Sequence, residues 1–157
     1  MFTLRDARPS DTATICGFVR DLARYENLEH EMVATPELIG AALFGPAPKA
    51  FAMICEVEGK PAGFTLCFYN FSTFLGRAGI YIEDLYVDPA YRKHGIGRAI
   101  FKALASRAVK EGCGRVEWSV LNWNTPALDF YAEMGAKPMT EWQIQRLTGD
   151  ALVALAA

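Results

Sequence analysis

The stretch Leu85-Tyr86-Val87-Asp88-Pro89-Ala90-Tyr91-Arg92-Lys93-His94-Gly95-Ile96-Gly97-Arg98 leaves an apolar strand at a proline turn and enters a basic, glycine-containing loop. A helix opens inside that loop. The first N–H groups of any helix lack intrahelical acceptors, and with the helix dipole they form a ready anion site. Gly95 and Gly97 carry no Cβ, so a phosphate can approach the backbone, and Arg92, Lys93 and Arg98 add positive charge. The stretch lacks the G-x-x-x-x-G-K-[S/T] of a nucleotide P-loop. It also lacks the third glycine of the dinucleotide fingerprint. It therefore predicts a phosphate-bearing ligand that is neither ATP nor NAD held in those ways. The same spacing also suits a turn that merely carries surface bases.

Outward from this loop the chain alternates between two periodicities. Upstream, Gly79 to Val87 reads as a strand, and downstream Ile96 to Lys110 reads as a helix ended by Gly112 and Gly114. Phe2 to Asp6 is a short strand. A helix capped by Ser10 or Asp11 runs to about Tyr25, and Thr35-Pro36-Glu37 starts another that Gly45-Pro46 stops. Ala50 to Val57 and Ala62 to Tyr69 form a hairpin across Glu58-Gly59-Lys60-Pro61, a longer-than-minimal turn. Arg115 to Leu121 returns as a strand. Asn124-Thr125-Pro126 begins a helix that ends at Gly135, and a last strand falls within Lys137 to Leu147. The order β-α-α-β-β-β-α-β-α-β predicts an α/β fold in which helices pack on a mixed sheet.

The 157 residues, 52% of them hydrophobic, predict one domain, 1–157, with no internal repeat or linker. A net charge of −2 argues against a general nucleic-acid binder, and no apolar run is long enough to span a membrane. The N-terminus has no signal-peptide pattern. Cys16, Cys55, Cys67 and Cys113 form no C-x-x-C pair, and with His30 and His94 they give no zinc spacing. No metal is expected; free thiols point to a reducing cytoplasm.

Three further features carry chemistry. Glu83 and Asp84 interrupt the apolar strand Ile80 to Val87. A charge in a strand is costly unless paired or wet, so the acids are either a solvated ion-pair site or carboxylates lining a cleft. Adjacent strand residues face opposite ways unless a bulge re-aims them. Glu26, Glu29 and Glu31 cluster just before the second helix, as a solvated loop or, with Glu83 and Asp84, as an electronegative entry for a cation. In Asn122-Trp123-Asn124-Thr125-Pro126-Ala127-Leu128-Asp129-Phe130-Tyr131, Asn124 and Thr125 cap a helix or contact a ligand. By spacing alone, Tyr131 reads as a packing residue.

Arg92-x-x-Gly95-x-Gly97 after a strand, followed by W-N-x-P-A-x-x-F-Y-x-x-x-G-A from Trp123 to Ala136, resembles the GNAT superfamily of acetyl-CoA-dependent N-acetyltransferases over essentially the whole chain. Leu22-Ala-Arg-Tyr-Glu26 and Tyr81-Ile-Glu-Asp-Leu-Tyr-Val87 are similar to its diamine branch, which acts on spermidine, spermine or thialysine. Thr140 stands where polyamine members tend to carry an acid, which counts against spermidine.

The resemblance implies a mostly antiparallel sheet splayed at the cofactor strand. It implies that coenzyme A pyrophosphate lies on Lys93, His94, Gly95, Ile96, Gly97 and Arg98, in the loop opened by Arg92. The pantetheine arm would pair with Leu85, Tyr86 and Val87, and Asn124, Pro126 and Ala127 would contact the cofactor. Tyr131 becomes the expected proton donor to the leaving thiolate. Tyr25, Glu26, Glu83 and Asp84 line the amine side, and a homodimer is implied.

An alkylamine with a pKa near ~10 is protonated at neutral pH and needs a base. Glu83 is the expected base, with a substrate-charge partner as its alternative role. An N–H near Leu85 would hold the oxyanion. The predicted reaction is direct acetyl transfer to a small primary amine in a ternary complex. Transfer through a cysteine, acetylation of a protein amine, and a non-catalytic acetyl-CoA-binding module are the alternatives.

Overall fold

Alternation along the middle of the chain builds the sheet, and the face each residue takes sorts the helices onto its two sides. The computed structural model describes Met1–Ala157 and divides into two compact units, Met1–Ser119 and Val120–Ala157. In the first, β1 (Phe2–Asp6), β2 (Phe51–Val57), β3 (Lys60–Ser72), β4 (Arg77–Val87) and β5 (Val116–Trp118) form one sheet in that spatial order. β1 to β4 are antiparallel neighbours, and β5 joins β4 in parallel.

Ala52 and Ile54 of β2, Phe64 of β3 and Tyr86 of β4 share a buried cluster with Ile15 and Phe18 of α1 (Thr12–Tyr25) and Ile39 and Leu43 of α2 (Pro36–Phe44). Phe18 stacks on Phe64 with ring centroids 5.7 Å apart. Phe51 points to the opposite face from Ala52, and there the Arg107 guanidinium of α3 (Ile96–Lys110) lies 4.0 Å from its ring centroid. α3 therefore covers the second face, where Phe101 meets Trp118 at 4.8 Å and Ile96, Ile100 and Leu104 are buried. The second unit holds α4 (Thr125–Glu133) and α5 (Gly149–Leu155).

The structure bears out the α/β class and the mixed, mostly antiparallel sheet, and corrects three details. The β2–β3 turn is minimal: Val57 pairs with Lys60, and Glu58 and Gly59 take φ of 50° and 75°. These left-handed values match a two-residue hairpin turn, and Pro61 sits inside β3 beside a register shift at Cys55/Glu56. β5 is three residues long rather than reaching Leu121. No strand forms within Lys137 to Leu147, so the sheet has five strands and not six. Alternation there is a local property, whereas a strand needs a ladder partner, and the second unit contains no strand. A C-terminal helix, α5, forms instead beyond it.

Arg5 of β1 ties β1 and β2 to the start of α1. Its guanidinium donates to both Asp11 carboxylate oxygens at 2.7 and 2.9 Å, and its Nε to Glu56 Oε1 at 3.0 Å. Asp11, 7% exposed, also accepts the Arg8 N–H at 2.7 Å. Arg5 holds the Asp11 carboxyl below its ordinary value. A depressed carboxylate contributes stability that is present above the unfolded-state pKa and lost as pH falls through the folded one. Asp11→Asn should cost about 1.5–3 kcal/mol at pH 7, since it removes one of the two carboxylates that hold the Arg5 guanidinium and leaves Glu56 alone. In urea unfolding, its deficit relative to wild type should shrink at pH 3.

Candidate active site

The site begins with an irregularity in β4. Leu66 pairs with Asp84 and Cys67 with Ile82, so Glu83 is an extra residue bulged out of the ladder. The bulge reverses the alternation. Before it, the even-numbered Ile80 and Ile82 are buried, and the Ile80 N–H bonds the Arg115 carbonyl beside β5 at 3.1 Å. After it, the Asp88 N–H bonds the Ala62 carbonyl beside β3 at 2.9 Å. Alternation then turns the backbone polar groups of Leu85 and Val87 away from β3.

The β4–β5 ladder stops at Ile82 and Trp118, so β5 offers no partner beyond that point. The strands separate there and leave a segment of β4 edge open. That edge suits an extended amide chain, the chemistry of a pantetheine arm. Tyr86 contributes backbone alone, because its side chain is 8% exposed and packs at 5.8 Å from Phe18.

Beyond the open edge lies the loop. Arg92 Nε donates to the Val87 carbonyl at 2.9 Å, and its guanidinium sits over the rings of Tyr25 and Tyr86 at 5.4 and 5.6 Å. Arg92 thus fastens the loop to β4 and α1 and is exposed at the loop's edge. Lys93 takes φ 67° and Gly95 φ 79°, and Gly95 is the residue before the first turn of α3. No side chain caps that turn. A Cβ built on Gly95 meets nothing within 4 Å, so the cradle is open there. Ile96 is buried and contributes its backbone, while Lys93, His94 and Arg98 are exposed around the cradle. An uncapped helix start ringed by bases fits a pyrophosphate.

The acids fall on the other side of the bulge. Glu83 is exposed, whereas Asp84 is half-buried opposite Leu66, on the α1 face of the sheet. Burial, and then the charges of Glu83 and Glu26, push the Asp84 carboxyl from 3.8 up to about 6. Burial also raises Glu26, which ends α1. Several other carboxylates are paired: Asp11 and Glu56 with Arg5, Glu29 with Arg24, Glu111 with Arg107, and Glu117 with Arg115. Glu26, Glu83 and Asp84 have no such ion pair. The Arg24–Glu29 pair removes Glu29 from the expected electronegative entry, and Glu31 is exposed with its carboxylate 4.0 Å from His30 Nε2, so of the five expected acids Glu26, Glu83 and Asp84 stand together.

Two of the four cysteines, Cys55 and Cys67, do not meet the requirements of a nucleophile. Cys67 is fully buried and its thiol is pushed up to about 11, and burial also raises Cys55. His30 and His94 are both exposed, on a loop near α1 and beside α3 respectively.

The second unit carries the remaining expected residues. Asn124 caps α4 through an Oδ1 that accepts the Ala127 N–H at 3.4 Å, with Thr125 and Pro126 opening the helix. Tyr131 lies on α4, half-buried, with the Phe130 ring centroid 5.9 Å away. The structure thus brings Tyr25, Glu26, Glu83, Asp84, the open β4 edge and the glycine loop together in the first unit. It places Asn124, Pro126, Ala127 and Tyr131 on one helix of the second. Thr65, whose hydroxyl donates to the Asp84 carbonyl at 3.0 Å, was not visible from the sequence, because a bulge has no residue signature of its own.

Residues 15–136 match the model of the acetyltransferase (GNAT) family. The chain belongs to that family. It is an acetyl-CoA-dependent N-acetyltransferase with the GNAT fold. A thialysine N-epsilon-acetyltransferase of Bos taurus is 35% identical over 98% of this chain and 96% of its own. An L-ornithine N5-acetyltransferase of Arabidopsis thaliana is 32% identical over 97% of this chain and 86% of its own. Among solved structures, an integron cassette protein from V. cholerae superimposes with a TM-score of 0.82 at 24% identity, covering 99% of this chain and 97% of its own. No helix of this acetyltransferase is long and apolar enough to cross a membrane. No group of three or more His, Cys, Asp or Glu side chains is placed to hold a metal ion.

Proposed function

We propose that this acetyltransferase acetylates a primary amine of a small molecule that carries a second polar or charged group, such as a diamine or a thialysine-like amino acid. The observation that carries the reading is the set of three carboxylates, Glu26, Glu83 and Asp84, gathered beside the open β4 edge without an ion-pair partner from the chain. Glu26 and Asp84 are partly desolvated without an ion pair, which is costly, and a cationic substrate supplies the missing charge. The relatives named for ornithine and thialysine acetylation support the same substrate class.

Acetyl-CoA supplies the activated acyl group. In this reading the backbone of Lys93 to Arg98 holds its pyrophosphate, and the edge from Leu85 to Val87 takes its pantetheine arm. In the same reading Asn124, Pro126 and Ala127 contact the cofactor. Asp84 accepts the amine proton, directly or through water, and Glu83 at the mouth balances substrate charge with Glu26 and Tyr25. An outward N–H of Leu85 stabilises developing oxyanion charge. Tyr131 protonates the departing thiolate. Transfer is direct, which the buried and raised Cys67 supports over a thiol intermediate. The reading takes 1–157 as one catalytic domain, supported by a family match that runs across both units. A homodimer and a cytoplasmic setting belong to it too, the latter supported by four free cysteines.

The test is initial-rate thiol release from acetyl-CoA with thialysine, lysine, ornithine, putrescine, spermidine and a monoamine of matched length. Amines with a second charged group should exceed the monoamine in kcat/KM by at least about tenfold, the equivalent of about 1.4 kcal/mol. Glu26→Gln should narrow that gap. Equal rates for all, or a faster rate with the monoamine, would overturn the reading.

A further inference from the structure

The bulge that presents Glu83 and Asp84 is bracketed by two fully buried side chains, Thr65 and Cys67 of β3. Both stand on the α3 face, one on each side of the register shift between Leu66 and Cys67. A buried hydroxyl needs a hydrogen bond to justify its desolvation. Thr65 Oγ1 donates its single proton to the Asp84 carbonyl at 3.0 Å. Cys67 Sγ lies 3.5 Å from the same oxygen, and with the hydroxyl proton committed, the thiol is the donor in that contact. The pair forms a short chain, from thiol to hydroxyl to carbonyl, that ends on the backbone of the residue following the bulge.

We infer that Thr65, supported by Cys67, is a positioning residue that fixes the β4 bulge and with it the aim of the Asp84 carboxylate and the Leu85 edge. The inference rests on the acetyltransfer reading above. Regular β4 alternation without the bulge would return Asp84 to the α3 face and exchange the edges to which Leu85 and Val87 present their N–H groups. An aliphatic residue at position 65 would fill the same space in the sheet without holding that carbonyl. A thiol serving as donor must stay protonated, and burial that lifts Cys67 to about 11 keeps it so. The charged groups facing Asp84 are Glu83 on its own strand and Glu26 at the end of α1. Any shift in its aim therefore changes its hydration and its distance from both.

The test compares Thr65→Val, which keeps the shape and removes the hydroxyl, with Thr65→Ser, which keeps the hydroxyl. Wild-type acetylation of the preferred amine is measured first, and its failure would count against the acetyltransfer reading and not against Thr65. With wild type active, Thr65→Val should lower kcat about three- to tenfold with KM for acetyl-CoA within about twofold. The acidic limb of its kcat/KM profile should move down by about half a pH unit as Asp84 gains water. Thr65→Ser should restore both. Cys67→Ala, which keeps the hydroxyl and deletes its donor, should produce the same shift in smaller measure, and it supplies the test should the valine variant not fold. Wild-type kcat and pH profile in Thr65→Val, or in Cys67→Ala where valine does not fold, would overturn the inference. A folded Thr65→Ser as impaired as the valine variant would overturn it too.

Discussion

In wild type the kcat/KM profile should show an acidic limb near pH 6, and in Asp84→Asn that limb should disappear while kcat falls by about 10²-fold or more. A proton acceptor works only when deprotonated, so wild-type activity should drop as pH falls through the Asp84 value of about 6. The asparagine variant has no such group to titrate. Glu83→Gln should keep the limb and change KM for the amine more than kcat, because Glu83 is exposed. A limb that survives in Asp84→Asn and vanishes in Glu83→Gln would return the base to Glu83.

Stability gives a second, independent sign for the same residue. Burial and like charges raise the folded Asp84 pKa from 3.8 to about 6, so between those values the native state holds more protons than the unfolded chain. Stability attributable to Asp84 is then full below the unfolded value and lost as pH rises through about 6. Asp84→Asn removes that penalty and should stabilise the protein at pH 8 by about 1–2 kcal/mol while abolishing most turnover. Loss of both activity and stability would instead mark Asp84 as a structural residue.

The second large effect belongs to Tyr131. Tyr131→Phe keeps the ring that packs near Phe130, so folding and acetyl-CoA binding should stay close to wild type. Its kcat should fall by about tenfold to hundredfold, within the range of general acid assistance. A thiol pKa of ~8.5 against ~10 for a phenol makes full proton transfer uphill by about 2 kcal/mol, yet a hydrogen bond that strengthens as charge develops still lowers the barrier. The deficit should shrink with acyl donors whose leaving thiol is more acidic, since these need less protonation. Wild-type turnover in the phenylalanine variant, with chemistry shown to be rate-limiting, would leave Tyr131 as a packing residue.

Much of this architecture is legible from local signals. The strand–loop–helix passage from Leu85 to Arg98 is one continuous run of chain, and its chemistry is local: a proline turn, two glycines, and a helix start. The same holds for Thr35, whose Oγ1 accepts the Leu38 N–H at 3.3 Å, and for Asn124 at the start of α4. Glu83-Asp84 is visible in sequence as a charge out of place in an apolar strand. Its resolution is not, because the choice of acid depends on a bulge set by register with β3, on the opposition of Leu66 to Asp84, and on Glu26 from α1. The last expected strand failed for a related reason: alternation in Lys137 to Leu147 is local, and a ladder is not.

By itself, then, the sequence determined the family, the order of nine of its ten regular elements, the glycine loop and the residue types suited to a phosphate and an amine. These follow from short-range rules of periodicity, capping and backbone freedom that act within a few residues. Only the tertiary structure decided that β5 leaves β4 after Trp118, that Glu83 is squeezed out of the ladder, that Arg92 lies over Tyr25 and Tyr86, and that Glu29 is neutralised while Asp84 is not. Each of those depends on which distant backbone or charge comes to lie alongside. Pairing, desolvation and Coulomb interaction act through space, and a linear order of residues does not fix those distances.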